Sequence, residues 1–401
     1  MTETPGDRER DREVAVGWSE AHAAAASAAS VLPAETVPLD HAIGRVLAED
    51  APALIDVPHF ASSAMDGWAV SGPGPWLLDS AHDADSALSP GRAVPIVTGG
   101  AIPPGMDAVL RSESGTVDAA GSRLSAVPST GEPHDGQHVR PAGKEARRGD
   151  VVLHAGTLLN PAHIAVAAGC GHDALTVVDR PRVRLLLTGD EVDESGIPEP
   201  GRVRDSFGPQ LPAVLGMLGG IVVSRVRVSD DLAALTAAIL HDASTSDVVV
   251  TTGGTGESPV DHLHAALAAI GAESIVRRVA MRPGGPTTLA RLADGRILLG
   301  LPGNPLAAMM GLLSLGAPLF ARLAGLPVPA LTPVPSAVDI AGRAGSTVLV
   351  PFHLEDGQAV ANDWLGSGMM RGLADSAGVL VVPAEGIRAG RDATTLPLPW
   401  V

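Results

Sequence analysis

Tyrosine is absent from this 401-residue chain, cysteine occurs once, and aromatic residues together make up 2%. No phenol can therefore serve as acid, base or nucleophile. The single Cys170 excludes an intrachain disulfide and a zinc site built on cysteine pairs. It follows an apolar stretch of helical character in AAGCGHD, where it reads as a small buried residue. Scarce aromatics leave Ala, Val and Leu to build the core. Basic residues are also short, 28 against 45 acidic ones, for a formal charge of −17 with no basic cluster. That balance argues against nucleic acid and anionic membranes as partners. An anionic small ligand must instead be held by backbone N–H groups, a few placed arginines, or metal ions bridging to carboxylates. The apolar stretch 298–326 is broken by LPGNP, and the charged start MTETPGDRERDREV carries no signal segment. A soluble, cytoplasmic chain is expected. HExxH, GxSxG and GxxxxGK[ST] patterns are missing, which removes the usual signatures of zinc peptidases, serine hydrolases and P-loop enzymes. His262 and His264 flank Leu263 and do not share a helical face.

What the chain does have is 45% hydrophobic against 18% charged residues, a globular composition, over a length that requires several domains. Residues 1–17 read as disordered. Alanine-rich 19–31 and the apolar spacing of 39–48 predict two helices. From 51 to 139, Pro, Gly and Asp punctuate short apolar runs such as AVPIVTG, as in a small β-rich unit. A turn, a strand and a helix opened by Asn160-Pro161 follow. From Arg182 onward strands and helices alternate, as in RVRLLLTGDE, PQLPAVLGMLGG, IVVSRVRVSDD, DLAALTAAILHDAS and DVVVTTGG. This order predicts an α/β domain with a mostly parallel sheet, whose binding groups gather on loops at the carboxyl ends of the strands. Loops 188–191, 253–261, 281–286 and 301–305 would then share one rim. PVPALTPVPSA reads as a proline-rich linker before a small terminal β domain. The expected division is 18–50 with 140–178, an inserted β-rich domain at 51–139, an α/β domain at 179–326 and a β domain at 327–401.

The richest stretch is DVVVTTGGTGESPVD at 247–261. A strand of β-branched residues runs into a glycine turn, and Asp261 follows seven residues after Gly254. Glycines let backbone N–H groups approach an anion, and the N-terminus of a following helix adds its dipole. The competing reading is a sharp corner with no ligand. Pro302, Gly303, Asn304 and Pro305 fix a backbone shape that can present N–H groups and the Asn304 amide, or they form an ordinary turn with Asn304 opening a helix. Asp190 and Glu191 suit a hard cation such as Mg²⁺, or a solvated acidic loop. Arg282 in MRPGGP reads as an oxyanion contact or a surface arginine. Asp66 precedes Gly67-Trp68 as in an Asp-Gly turn with Trp68 anchoring a core.

In their order, SAMDGWAV, VTGGAIPPGMDAVLRSE, RVRLLLTGDEV, DVVVTTGGTGESPVD, VAMRPGGP, ILLGLPGNPLAAM and GSGMMRGLADSAGVLVVP resemble elements of the molybdopterin molybdenumtransferase family, the bacterial enzymes related to the C-terminal domain of gephyrin. The likeness runs from about residue 18 to the end. It implies a homodimer of elongated four-domain subunits that inserts molybdate into adenylyl-molybdopterin and releases AMP in a Mg²⁺-dependent reaction. Other molybdenum-cofactor synthesis proteins are further candidate partners. The resemblance also implies site roles. Asp261, Glu191 and Asp190 would arrange Mg²⁺ and the pyrophosphate. Gly253, Gly254, Thr255, Gly256 and Ser258 would cradle phosphate, with Ser206 and Arg282 beside the ligand, while Pro302, Gly303, Asn304 and Pro305 would line the pterin pocket. Asp66, Thr98 and Glu145 would approach from the other subunit, Glu145 standing where the family usually has aspartate. Asp230 is carried over with Asp231 as the competing alignment.

Four positions depart from the family pattern. The usual GGVSVGxxD reads GGTGESPVD, nearer the GGTG loop of molybdopterin adenylyltransferases, and KPGKP reads RPGGP, with Gly285 in place of a lysine. Phe207 stands where asparagine is frequent, and Trp68 where tyrosine is usual. Two other functions therefore stay open: adenylyl transfer to molybdopterin, and a catalytically weak, cofactor-binding scaffold.

Overall fold

The computed structural model describes residues 15–79, 83, 86–256 and 261–401. Of the segment read as disordered, 1–14 lies outside the described residues, while Val16–Gly17 forms a short strand. The chain divides into two compact units. One takes the described part of Met1–Glu35 together with Gly44–Val46 and Val178–Val401, and the other takes Thr36–Ile43 and Leu47–Val177.

The first unit runs through helix α1 (Trp18–Ser27), β1 (Arg182–Thr188), α2 (Phe207–Met217), β2 (Ile221–Val228), α3 (Leu232–Leu240), β3 (Val248–Thr252), α4 (Leu263–Ala269), β4 (Glu273–Val276), β5 (Thr288–Arg291), β6 (Ile297–Leu301) and α5 (Pro305–Gly311). Its strands form one sheet in the order β2-β1-β3-β6-β5-β4. β2, β1, β3 and β6 are parallel, whereas β5 and β4 pair antiparallel, so the sheet is mixed. The cause is local: β5 and β6 are joined by a tight turn closed by Leu292 N to Arg296 O, and a hairpin can only reverse the chain.

Alternation along β1 sends Val183, Leu185 and Leu187 into a core with α1, α2 and α5, and Leu186 into a second core with α3 and α4. After α5 the helix continues through a π-helical turn at Leu312–Gly316 to Ala317–Leu323. The stretch Pro305–Leu323 is apolar enough to cross a membrane by composition, yet 94% of its apolar window is buried inside the protein. Trp18 Nε1 donates to Ser314 Oγ at 2.9 Å on that helix. Residues 18–35, expected with 140–178, thus make their core contacts in the first unit.

A second sheet in this unit orders Val16–Gly17, Val279–Arg282, Thr347–Glu355, Gly378–Val382, Asp392–Leu396 and Thr332–Pro335, with Gln358–Ala361 beside Thr347–Glu355. Two sequence expectations change here. Part of the supposed linker PVPALTPVPSA is the strand Thr332–Pro335, at a sheet edge where proline removes few ladder hydrogen bonds. Val279–Arg282 belongs to this sheet, so the 281–286 loop does not extend from a strand of the first sheet.

The second unit holds a six-stranded sheet ordered Ala108–Arg111, Gly67–Ser71, Arg92–Ile96, Trp76–Leu78, Arg123–Ala126 and Gly115–Val117. Its helix Pro161–Gly169 opens as expected: Asn160 Oδ1 accepts from His163 N at 3.0 Å, and Asn160 N donates to His163 Nδ1 at 3.2 Å. The helix expected over 39–48 is only Leu39–Ala42, because Ile43 is extended and Gly44 turns left-handed. Cys170 is buried as anticipated.

Candidate functional site

The carboxyl ends of β1, β3 and β6 are tied together by hydrogen bonds. Thr188 Oγ1 donates to Thr252 O, and Gly253 N donates to Leu301 O at 2.9 Å. Gly253 and Gly254 follow with φ of +79° and +64°, the left-handed region that side chains avoid. A Cβ on Gly253 would also lie 2.6 Å from Thr188 Oγ1, and one on Gly256 would lie 2.6 Å from Asp261 Oδ2. Glycine is therefore required at Gly253 and Gly254, where the chain turns off the sheet, while at Gly256 a side chain would displace the Asp261 carboxylate. Helix α4 begins at Leu263, and its first turn abuts the glycine loop: Leu263 N donates to Gly254 O at 3.1 Å.

These loops enclose a cavity of about 810 Å³. Glu191, Asp230 and Asp261 line it with Gly253, Gly254, Thr255 and Gly256, and so do Ser206 and the turn Pro302, Gly303, Asn304 and Pro305. Asn304 sits at the N-cap of α5, but its side chain makes no capping hydrogen bond. Asp190 is exposed and outside the lining; its carboxylate accepts from Asp230 N at 3.4 Å. Asp230 accepts from Gly189 N and Asp190 N, both at 3.1 Å, and so shapes the loop that carries Glu191. Asp231, the competing alignment, caps α3 through Ala234 N at 2.8 Å. Ser258 lies outside the described residues.

Among the described residues no group of three or more His, Cys, Asp or Glu converges as a metal site. Glu191 and Asp261 in one cavity still fit Mg²⁺, which binds through one or two carboxylates and completes its shell with ligand oxygens and water. Asp190, whose carboxylate faces the Asp230 amide on the loop after β2, fits that role less well.

Sequence reading missed Asp205. Its buried carboxylate accepts from Phe207 N and Gly208 N, both at 2.9 Å, and from Arg227 Nη2 at 2.7 Å, while Arg227 Nε reaches Glu194 Oε1 at 3.0 Å. Ser206 makes no capping bond at this helix start, so Asp205 does the capping. The signal was available, since an aspartate two or three residues ahead of a helix is a capping pattern.

A larger cavity of about 1290 Å³ adjoins the first, and Thr255, Pro286, Pro302 and Asn304 line both. Its cations are Arg277, Arg278, Arg282 and Arg343, with His264. Burial and the neighbouring Arg277 hold the His264 imidazole below its usual range, partly offset by a backbone hydrogen bond with Thr255. Arg282 is thus placed here rather than on the acidic rim. A side chain at Gly285 would press on Met281 O and Val279 O, at 3.1 and 3.3 Å from its Cβ.

The C-terminal element crosses both cavities. Ser367 O accepts from Ala307 N at 3.0 Å; Leu365 and Ser367 line the arginine cavity, and Gly368 lines the acidic one. Its ends are pinned by Asn362, which donates to Gly372 O at 2.7 Å and contacts His353 Nδ1. His353 Nε2 meets Glu355 Oε1 at 3.0 Å, and this carboxylate raises the histidine above its usual pKa.

In the second unit, Asp66 Oδ1 accepts from Thr98 N at 2.7 Å, and these Thr98 bonds lower the pKa of the exposed Asp66 carboxyl. The structure brings those two predicted residues together. Glu145 is exposed and takes its place through its backbone, with N donating to Val57 O at 2.8 Å.

Fold and rim place the first unit in the class of α/β domains with a cavity at the carboxyl ends of their parallel strands. Residues 16–171 match the MoeA N-terminal region (domain I and II), and 184–322 match a probable molybdopterin binding domain. The molybdopterin molybdenumtransferase of Staphylococcus aureus (strain Mu50) is 34% identical over 297 residues, 70% of this chain and 70% of that protein. Molybdopterin molybdenumtransferase 2 of Mycobacterium tuberculosis is 33% identical over 318 residues, 73% of this chain and 76% of that one. The crystal structure of a molybdopterin biosynthesis moeA protein from Pyrococcus horikosii aligns at a TM-score of 0.78 and 25% identity, covering 95% of this chain and 99% of that one. The chain belongs to the molybdopterin molybdenumtransferase family, the transferases of molybdenum-cofactor biosynthesis.

Proposed function

We propose that this protein transfers molybdenum from molybdate to adenylylated molybdopterin and releases AMP, with Mg²⁺ held by Glu191 and Asp261. The observation that carries this reading is the pair of adjoining cavities of opposite net charge, one lined by four carboxylates with Arg204 and Arg227, the other by four arginines and, among the described residues, no carboxylate. Breaking a phosphoanhydride requires its oxygens to be neutralised and its geometry fixed. The acidic cavity offers carboxylates for a cation and a glycine-turned loop beside them. A tetrahedral oxyanion needs donors without competing carboxylates, and the arginine cavity offers Arg282 and Arg343. Mg²⁺ would supply charge neutralisation at the anhydride oxygens. Asp230 would hold the loop that positions Glu191, and Asn304, at the junction, would orient the ligand between the two cavities. In a homodimer, Asp66, Thr98 and Glu145 would complete the site from the second copy.

AMP release from adenylylated molybdopterin by the purified protein tests this directly. Release that needs both molybdate and Mg²⁺ is the expected result, from a species that sediments as a dimer. The GGTG sequence at 253–256 favours a second reading, adenylyl transfer. ATP consumption with molybdopterin, and no molybdate-dependent release, would establish that one instead.

A further inference from the structure

One wall of the acidic cavity has no task in the phosphate chemistry. Val192, Val203 and Phe207 line it together, and Val192 and Val203 are register partners in a two-residue parallel ladder. Val203 is 51% exposed. Phe207 is half-buried, packed against the main core of the first unit, and is the one aromatic ring among the described lining residues. Its backbone is held in place: Asp205 Oδ1 accepts from Phe207 N at 2.9 Å, and Arg227 anchors Asp205 from the other oxygen at 2.7 Å. A ring fixed by its helix start and by packing loses little further entropy when a ligand stacks on it. The cavity, at about 810 Å³, is far larger than a phosphate needs and has the size and mixed lining of a small-molecule pocket. A polar loop and an aromatic ring in one pocket match a nucleotide, phosphate on the first and base on the second.

We propose that Phe207, flanked by Val192 and Val203, is the stacking surface for the purine base of the adenylylated substrate and so supplies the affinity for its base. This rests on the proposed placement of phosphate at Gly253–Gly256. Equilibrium dialysis of the full chain with AMP, and with ribose 5-phosphate as a probe that lacks the base, tests it. The native protein should prefer AMP. F207A should weaken AMP about tenfold, the usual size of a lost base–aromatic contact, and leave ribose 5-phosphate unchanged. F207W should keep AMP affinity, and F207L, which retains bulk without a π face, should fall between. Should F207A fail to fold, the F207W and F207L pair carries the same comparison. Equal weakening of both ligands in a variant of unchanged Tm, or no change in either, overturns the proposal while leaving the phosphate site in place. A native protein that binds neither ligand removes the phosphate placement and this inference with it.

Discussion

The two cavities of the first unit share Thr255, Pro286, Pro302 and Asn304, yet their remaining walls differ in net charge: Glu191, Asp205, Asp230 and Asp261 outnumber Arg204 and Arg227 on one side, and the other holds arginines without a carboxylate among the described residues. Glu191, Asp230 and Asp261 on the acidic side come from loops that follow β1, β2 and β3 of the first sheet. Arg277, Arg278, Arg282 and Arg343 on the basic side come from segments in or next to Val279–Arg282 and Thr347–Glu355, adjacent strands of the second sheet. In a chain with a net charge of −17, such a concentration of arginine is a local feature that composition does not predict. The difference teaches that the two sheets divide the chemistry. One supplies groups suited to a cation and its phosphate, the other groups suited to a bare oxyanion.

If that division holds, losing one acid and losing one arginine should damage different halves of the reaction. The largest effect is expected for Asp261→Asn, which removes one of the two carboxylate charges proposed to hold Mg²⁺ without changing shape. AMP release should fall by about 100-fold or more with Tm unchanged. Normal turnover by that variant would remove Asp261 from the site. Arg282→Ala should be milder and selective, raising the molybdate concentration for half-maximal rate about tenfold, as for one lost charge-assisted hydrogen bond, while AMP affinity stays constant. A matching loss of AMP affinity would merge the two cavities into one functional site.

The smallest effect concerns the strap that both cavities share. Hydrogen bonds to Glu355 and Asn362 raise the His353 pKa in the folded protein, so the protonated form is the one that folding favours. The stability this provides is complete below the unfolded value of about 6.5 and is lost as pH rises through the higher folded value. Thermal unfolding across that window should show a small decline in Tm that His353→Gln flattens. An unchanged slope in the variant would detach His353 from the strap.

Much of this was legible from the residues in order. The β-branched run before Gly253 marks β3, the Asn160-Pro161 pair marks a helix start, and the three loops after β1, β3 and β6 reach one cavity as the alternating pattern predicts. The errors share a cause. The 281–286 loop reaches the rim only at Pro286, because pairing partners are not written in a strand's own sequence and Val279–Arg282 pairs with Thr347–Glu355. Asp190 and Asp230 look equivalent as acids in polar loops. Only the fold shows Asp230 holding two amides of the loop beside β1 and Asp190 left out of the cavity lining.

By itself, the sequence determined the elements of secondary structure that turn chemistry and hydrophobic period dictate, together with the glycines that φ requires at Gly253 and Gly254. Those are local properties, settled within a few residues. The tertiary structure alone decided which sheet each strand joined, which acids and arginines share a cavity, and that Asp205 clamps the start of α2 beneath Phe207. Burial, and pairing between residues far apart in the chain, set these outcomes, and neither is encoded at any single position.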